Sequence, residues 1–154
     1  MISAAPMPGT TPGPSVPASK PAVRVLIVDD EPDVRLMLRY LLEYEGYRVS
    51  EATNGHEALA LLGQESIAVV ITDLYMPRMS GYDLIQLMVS GTDRLPRIIA
   101  MSGVPPEIAR PSAADAASLL QTYSILEKPF TRQQLSRALA ACGAGQRLEP
   151  PANQ

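Results

Sequence analysis

The sequence predicts an α/β domain, a doubly wound parallel sheet of five strands with five helices on its two faces. Three observations lead there. Short apolar runs rich in Val and Ile alternate with longer segments of helical periodicity through the middle of the chain. Residues suited to helix caps and stops separate them. The apolar runs end repeatedly on polar residues, as strands of a parallel sheet do when their carboxyl ends face one side.

Residues 1–22 carry prolines at 6, 8, 12, 14, 17 and 21 and almost no large apolar side chains, so a disordered tail is expected. Its Pro14-Ser-Val-Pro17 spacing suits polyproline recognition, but Pro-rich tails produce such matches by chance. Val23 to Val28 reads as the first strand, followed by Asp29, Asp30, Glu31 and Pro32, the last suited to the first turn of a helix. Val34, Met37, Leu38, Leu41 and Leu42 then repeat at the spacing of an apolar helix face, up to a stop at Gly46. Tyr47 to Glu51 forms a second strand. Asn54 and Glu57 give a capping-box-like start to a helix carrying Ala58, Leu61 and Leu62, which ends near Gly63.

Ile67 to Thr72 is uniformly apolar, as a strand buried on both faces should be, and it delivers Asp73 at its end. Ser80 and Asp83 cap a third helix through Leu84, Ile85, Leu87 and Met88, closed by Gly91. Pro96 opens a strand from Arg97 to Met101 that ends on Ser102-Gly103. Pro105, Pro106 and Pro111 delay the fourth helix, expected to be capped by Ser112 and Asp115 with Ala116, Leu119, Leu120 and Tyr123 on one face. The fifth strand, Ser124 to Glu127, runs into Lys128-Pro129-Phe130, and Thr131 with Gln134 starts the last helix, which ends around Gly143. Residues 23–142 thus form one domain, with a flexible tail over 143–154.

Composition narrows the function. A net charge of -3 argues against a nucleic-acid footprint, which would show as clustered Lys and Arg. No apolar stretch approaches the ~20 residues of a membrane helix, and no signal peptide is visible. The single cysteine, Cys142, permits no internal disulfide and completes an apolar stripe with Leu135, Ala138 and Leu139, so a core role and a cytoplasmic setting are expected. His56, the only histidine, lacks partners at ligand spacing and reads as a surface residue.

In an open parallel sheet, ligand-binding residues gather beyond the carboxyl ends of the strands. Here these are Asp29, Asp30, Asp73, Ser102 and Lys128. Crowded carboxylates repel unless a cation is bound, and a hard divalent ion such as Mg²⁺ takes oxygen ligands of this kind. Lys128 adds a point positive charge and Ser102 a hydroxyl donor, which makes a site for a phosphoryl group.

At Val28-Asp-Asp-Glu-Pro32, Thr72-Asp-Leu-Tyr-Met-Pro-Arg-Met-Ser-Gly81, Ala100-Met-Ser-Gly103 and Lys128-Pro-Phe130, the chain resembles the receiver domain of two-component response regulators. The resemblance covers about residues 23–142, and four motifs in the right order, each at a strand end, make it specific. It implies a flavodoxin-like fold with strand order 2-1-3-4-5, by analogy with chemotaxis receivers. It further implies that Asp73 accepts a phosphoryl group from a phosphohistidine of a sensor kinase or a histidine phosphotransfer protein. Asp30, Asp73 and the backbone carbonyl of Tyr75 would ligate Mg²⁺, with Asp29 acting through a water. Ser102 and Lys128 would hold the phosphoryl oxygens, and Lys128-Pro129 would be cis.

The chain departs from the family at three positions. The aromatic residue usual three positions before the lysine is Ile125, so the switch formed with Ser102 is expected to be absent or displaced to Tyr123. Tyr75 and Val104, two beyond Asp73 and Ser102, are bulky and neither acidic nor amide, which predicts slow self-dephosphorylation. The leading expectation is a single-domain response regulator that is not an enzyme and signals to an unknown downstream protein, with a homodimer left open. A phosphorylation-independent scaffold is the alternative. An aspartyl-phosphate phosphohydrolase would need an acid at position 75, where Tyr75 stands.

Overall fold

The computed structural model describes residues 22–91, 94–103 and 123–143. In chain order these contain β1 (Arg24–Val28), α1 (Pro32–Tyr44), β2 (Arg48–Ala52), α2 (Gly55–Gln64), β3 (Val69–Asp73), α3 (Gly81–Gly91), β4 (Arg97–Ser102), β5 (Tyr123–Glu127) and α4 (Arg132–Ala141). The strands form one parallel sheet of order β2-β1-β3-β4-β5. The expected order is therefore found. The expected helix after Ser112, like both expected tails, lies outside the described residues apart from the ends of the tails at Ala22 and Gly143.

Period-2 alternation along the central strands divides the core in two. Leu26, Val28 and Val70 face the layer of α2 and α3, where they meet Ala58, Leu84, Ile85 and Met88. Val25, Ile27, Val69 and Ile71 face the other layer and pack with Leu38 and Leu42 of α1 and Leu135 and Leu139 of α4. All five residues of β3 are buried, as expected of a strand covered on both faces. Cys142 packs against the second cluster and His56 is exposed, in line with the roles read for them.

Three caps act as the sequence predicts. The Asn54 side chain accepts from the amide of Glu57 at 2.9 Å, and the Glu57 carboxylate accepts from that of Thr53 at 2.9 Å. Ser80 and Asp83 exchange side-chain-to-amide bonds at the start of α3, and Thr131 and Gln134 form a complete capping box on α4.

Several expectations are corrected. The second strand begins at Arg48, because Tyr47 still belongs to the return from α1, its amide donating to the Leu42 carbonyl at 3.0 Å. The third begins at Val69 rather than Ile67. Tyr123 belongs to β5 and not to a helix, since β5 pairs with β4 from Ile98↔Tyr123 onwards. Met37 is 43% exposed: it sits with Leu36, Tyr40 and Tyr44 on the outer side of α1, while Leu38 and Leu42 are fully buried and Val34 and Leu41 pack half-buried beside them. The outer side is partly covered near its end, where the Arg132 guanidinium lies 4.3 Å from the Tyr44 ring centroid.

Gly81 couples helix packing to the strand end. A Cβ there would lie 2.1 Å from the carbonyl oxygen of Asp73 and 2.7 Å from Leu74 Cα, both backbone atoms that have no room to move aside. Gly81→Ala is therefore expected to destabilise the domain by about 3 kcal/mol, the upper range for overpacking. At Gly63 in α2 nothing lies within 4 Å of the added carbon, so Gly63→Ala is expected to stabilise by about 0.5–1 kcal/mol. Urea melts of the two variants check the contrast.

Candidate functional site

The candidate residues meet beyond the carboxyl ends of β1, β3, β4 and β5. Parallel pairing sets Val28 beside Thr72, so Asp29 and Asp73 leave adjacent strands side by side. Asp73 is paired with Met101, which places Ser102 one residue beyond on the next strand. The amide of Lys128 donates to the Ser102 carbonyl at 2.7 Å, extending the β4–β5 ladder by one bond and fixing where the lysine side chain starts. The Lys128-Pro129 bond is cis, as expected.

Lys128 reaches back over the sheet, and its Nζ lies 3.1 Å from Asp29 Oδ2 and 3.1 Å from Asp73 Oδ2. The other carboxylate oxygens are held by backbone. Asp29 Oδ1 accepts from the amide of Glu31 at 2.9 Å, and Asp73 Oδ1 accepts from the amide of Tyr75 at 3.0 Å. Asp29 and Asp73 are buried while Asp30 is exposed, and oxygens of all three carboxylates lie within 4.8 Å of one another. This is a hard-oxygen donor set with one open side, and it fits an octahedral cation that keeps some of its waters, as Mg²⁺ does.

The neighbours are placed as follows. Ser102 is buried at the end of β4. Ile125 is exposed on β5, opposite Ala100. The strand reaches Tyr123, two register positions before Ile125. Val104 lies outside the described residues. Sequence reading missed Tyr82, whose ring meets that of Tyr75 edge-on. Residues seven apart become neighbours only through the turn between β3 and α3, and no spacing rule signals that.

Burial pushes the Asp29 carboxyl above its usual 3.8, more than the Glu31 amide and the Lys128 ammonium pull it down. Burial alone would lower the Lys128 ammonium, but the hydrogen bonds and charges of Asp73 and Asp29 outweigh it and the pKa is raised above 10.5. Lys128 therefore stays charged at neutral pH. An acid whose pKa is higher in the folded than in the unfolded chain destabilises the fold once ionised, and this penalty is absent below the unfolded value and complete above the folded one. Asp29→Asn is accordingly expected to raise the melting temperature of metal-free protein at neutral pH. The gain should vanish as the pH falls below 3.8, which thermal melts in a chelator across the acid range will check.

The family model of the response regulator receiver domain matches residues 25–140. Response regulator MprA of Mycolicibacterium vanbaalenii is 34% identical over 119 residues, which are 77% of this chain and 49% of that protein. Response regulator SaeR of Staphylococcus aureus is 42% identical over 64 residues, 42% of this chain and 28% of that protein. The chain thus spans less than half the length of these curated relatives. Among solved structures, a response regulator receiver domain protein from Clostridium thermocellum matches with a TM-score of 0.69 and 28% identity over 82% of this chain and 98% of that one. The chemotaxis protein CheY4 of Vibrio cholerae matches with a TM-score of 0.66 and 28% identity over 79% and 98%. The match over residues 25–140, the sheet order and the carboxylate cluster at the strand ends agree, and the chain belongs to the response regulator receiver domain family, the phosphoacceptors of two-component signalling.

Proposed function

We propose that Asp73 is the phosphoacceptor of a Mg²⁺-dependent response regulator. It takes its phosphoryl group from a phosphohistidine of a sensor kinase or a histidine phosphotransfer protein, and a downstream partner protein reads the change. The observation that carries this reading is the Lys128 ammonium set 3.1 Å from both Asp29 and Asp73, beside an exposed third carboxylate.

In transfer, a carboxylate oxygen of Asp73 attacks phosphorus in line with the imidazole nitrogen. The P–N bond breaks, its electron pair stays on nitrogen, and a mixed anhydride forms on Asp73. Asp30, Asp73 and the carbonyl of Tyr75 would hold Mg²⁺, with Asp29 contributing through a water, and the ion would supply positive charge for the phosphoryl oxygens. The Tyr75 amide and Lys128, which already orient the two oxygens of Asp73, keep the carboxylate in one rotamer before attack. Lys128 then exchanges its carboxylate contact for a phosphoryl oxygen, and the Ser102 hydroxyl donates to another. That exchange at Lys128 and Ser102, which are joined through backbone, biases β4 and β5, the latter including Tyr123 and Ile125, towards a second arrangement. With an exposed Ile125 in place of an aromatic, the read-out does not rest on an aromatic rotamer at that position. The only chemistry of the domain is the gain and loss of its own phosphoryl group.

Incubation with a small acyl phosphate and Mg²⁺, followed by intact mass, is expected to show one added phosphoryl group. The adduct should be absent from Asp73→Asn and from protein kept in chelator, and strongly reduced in Lys128→Ala. An adduct that persists in Asp73→Asn would refute the assignment. Tyr75 brings no acid or amide to orient water, so Tyr75→Asn is expected to shorten the lifetime of the adduct.

A further inference from the structure

We infer that Tyr82 is a positioning residue that prolongs the life of the phosphoryl group by bracing the Tyr75 ring beside Asp73; the inference rests on the acceptor role proposed for Asp73. Tyr75 follows β3 by two residues and its amide is bound to Asp73 Oδ1, so its backbone is tied to the acceptor itself. Its side chain, however, is 44% exposed. An exposed tyrosine with two rotatable bonds samples several orientations unless a neighbour holds it.

Tyr82 is that neighbour, and it is itself fixed. It is the second residue of α3, it packs half-buried against the apolar cluster containing Leu84 and Ile85, and it follows Gly81, whose amide donates to the Leu74 carbonyl at 3.0 Å. The close approach of Gly81 to the Asp73 carbonyl removes the remaining slack between the helix start and the strand end. The rings of Tyr75 and Tyr82 meet with centroids 6.1 Å apart and planes at 81°, the edge-to-face arrangement that aromatic quadrupoles favour. An anchored ring thus holds an exposed one, and both are referenced to the backbone of the acceptor.

Loss of the phosphoryl group requires a water oxygen to attack phosphorus opposite the Asp73 oxygen. The P–O bond to Asp73 breaks with its electron pair returning to the carboxylate, and the proton of the water passes to solvent. A braced Tyr75 ring restricts where that water can stand and offers it no base. A freed ring leaves the position open for part of the time. The requirement is for the ring of Tyr82 and not for its hydroxyl.

The test measures decay of the acyl phosphate after removal of the phosphodonor, by intact mass, in wild type, Tyr82→Leu, Tyr82→Phe, Tyr75→Ala and the Tyr75→Ala/Tyr82→Leu double variant, each shown to be folded by a thermal melt. Tyr82→Leu is expected to shorten the lifetime about two- to tenfold, the span set by a single aromatic contact. Tyr82→Phe should match wild type, and Tyr82→Leu should have no further effect once Tyr75 is Ala. A normal adduct with an unchanged lifetime in Tyr82→Leu overturns the inference, as does a Tyr82→Leu effect that persists without the Tyr75 ring. Wild-type protein that takes no phosphoryl group overturns the acceptor reading, and the brace falls with it.

Discussion

One ammonium group between two carboxylates organises the working end of this domain. Asp29 is fully buried, and an ionised carboxylate in that position is tolerated only when a positive charge and hydrogen bonds compensate for lost hydration. Lys128 provides the charge for Asp29 and Asp73 together, and backbone amides satisfy the oxygens it leaves. The arrangement constrains the scaffold in turn. Asp29 and Asp73 must leave neighbouring strands at the same height, and the lysine must start from the end of a strand two places beyond that of Asp73. The sheet order β2-β1-β3-β4-β5 and its register meet both conditions.

Asp73 is held from its own turn as well. The segment between β3 and α3 contains Arg78 at φ 74°, a left-handed conformation that disfavours side chains, and it closes at Gly81, where no Cβ fits. Such local strain persists only where surrounding structure enforces it. Here the enforcing parts are the buried β3, the Ser80–Asp83 cap and the packed face of α3. Asp73 therefore sits on rigid backbone, while the exposed Asp30 and Tyr75 form its adaptable rim.

Much of this was legible in the sequence because it is written in local patterns. An apolar run such as Val69 to Ile71 followed by Thr72 and Asp73 announces a central strand and its functional end, and Asn54/Glu57 and Thr131/Gln134 announce helix starts. What escaped was decided by tertiary context. Met37 fits the apolar period of α1 yet faces outward, since Leu38 and Leu42 fill the space above the sheet. Tyr123 suited a helical stripe, but pairing with Ile98 drew it into β5. The Lys128 amide bond to Ser102 and the Tyr75–Tyr82 contact depend on how two chain segments meet, which no single-segment period encodes. Gly81 is only the last residue of a motif in the sequence, and its distance from the Asp73 carbonyl reveals why nothing larger fits.

The contact between Lys128 and Asp29 joins residues 99 positions apart. The two carboxylates come together when β1 pairs with β3, but their counter-charge arrives only when β5, at the edge of the described sheet, docks on β4. Closing so long a loop is entropically disfavoured and depends on the rest of the sheet being in place. A partly folded chain consequently has the acidic cluster without its ammonium, a group of carboxylates that repel one another. Completion of the charge cluster and completion of the sheet are therefore the same event.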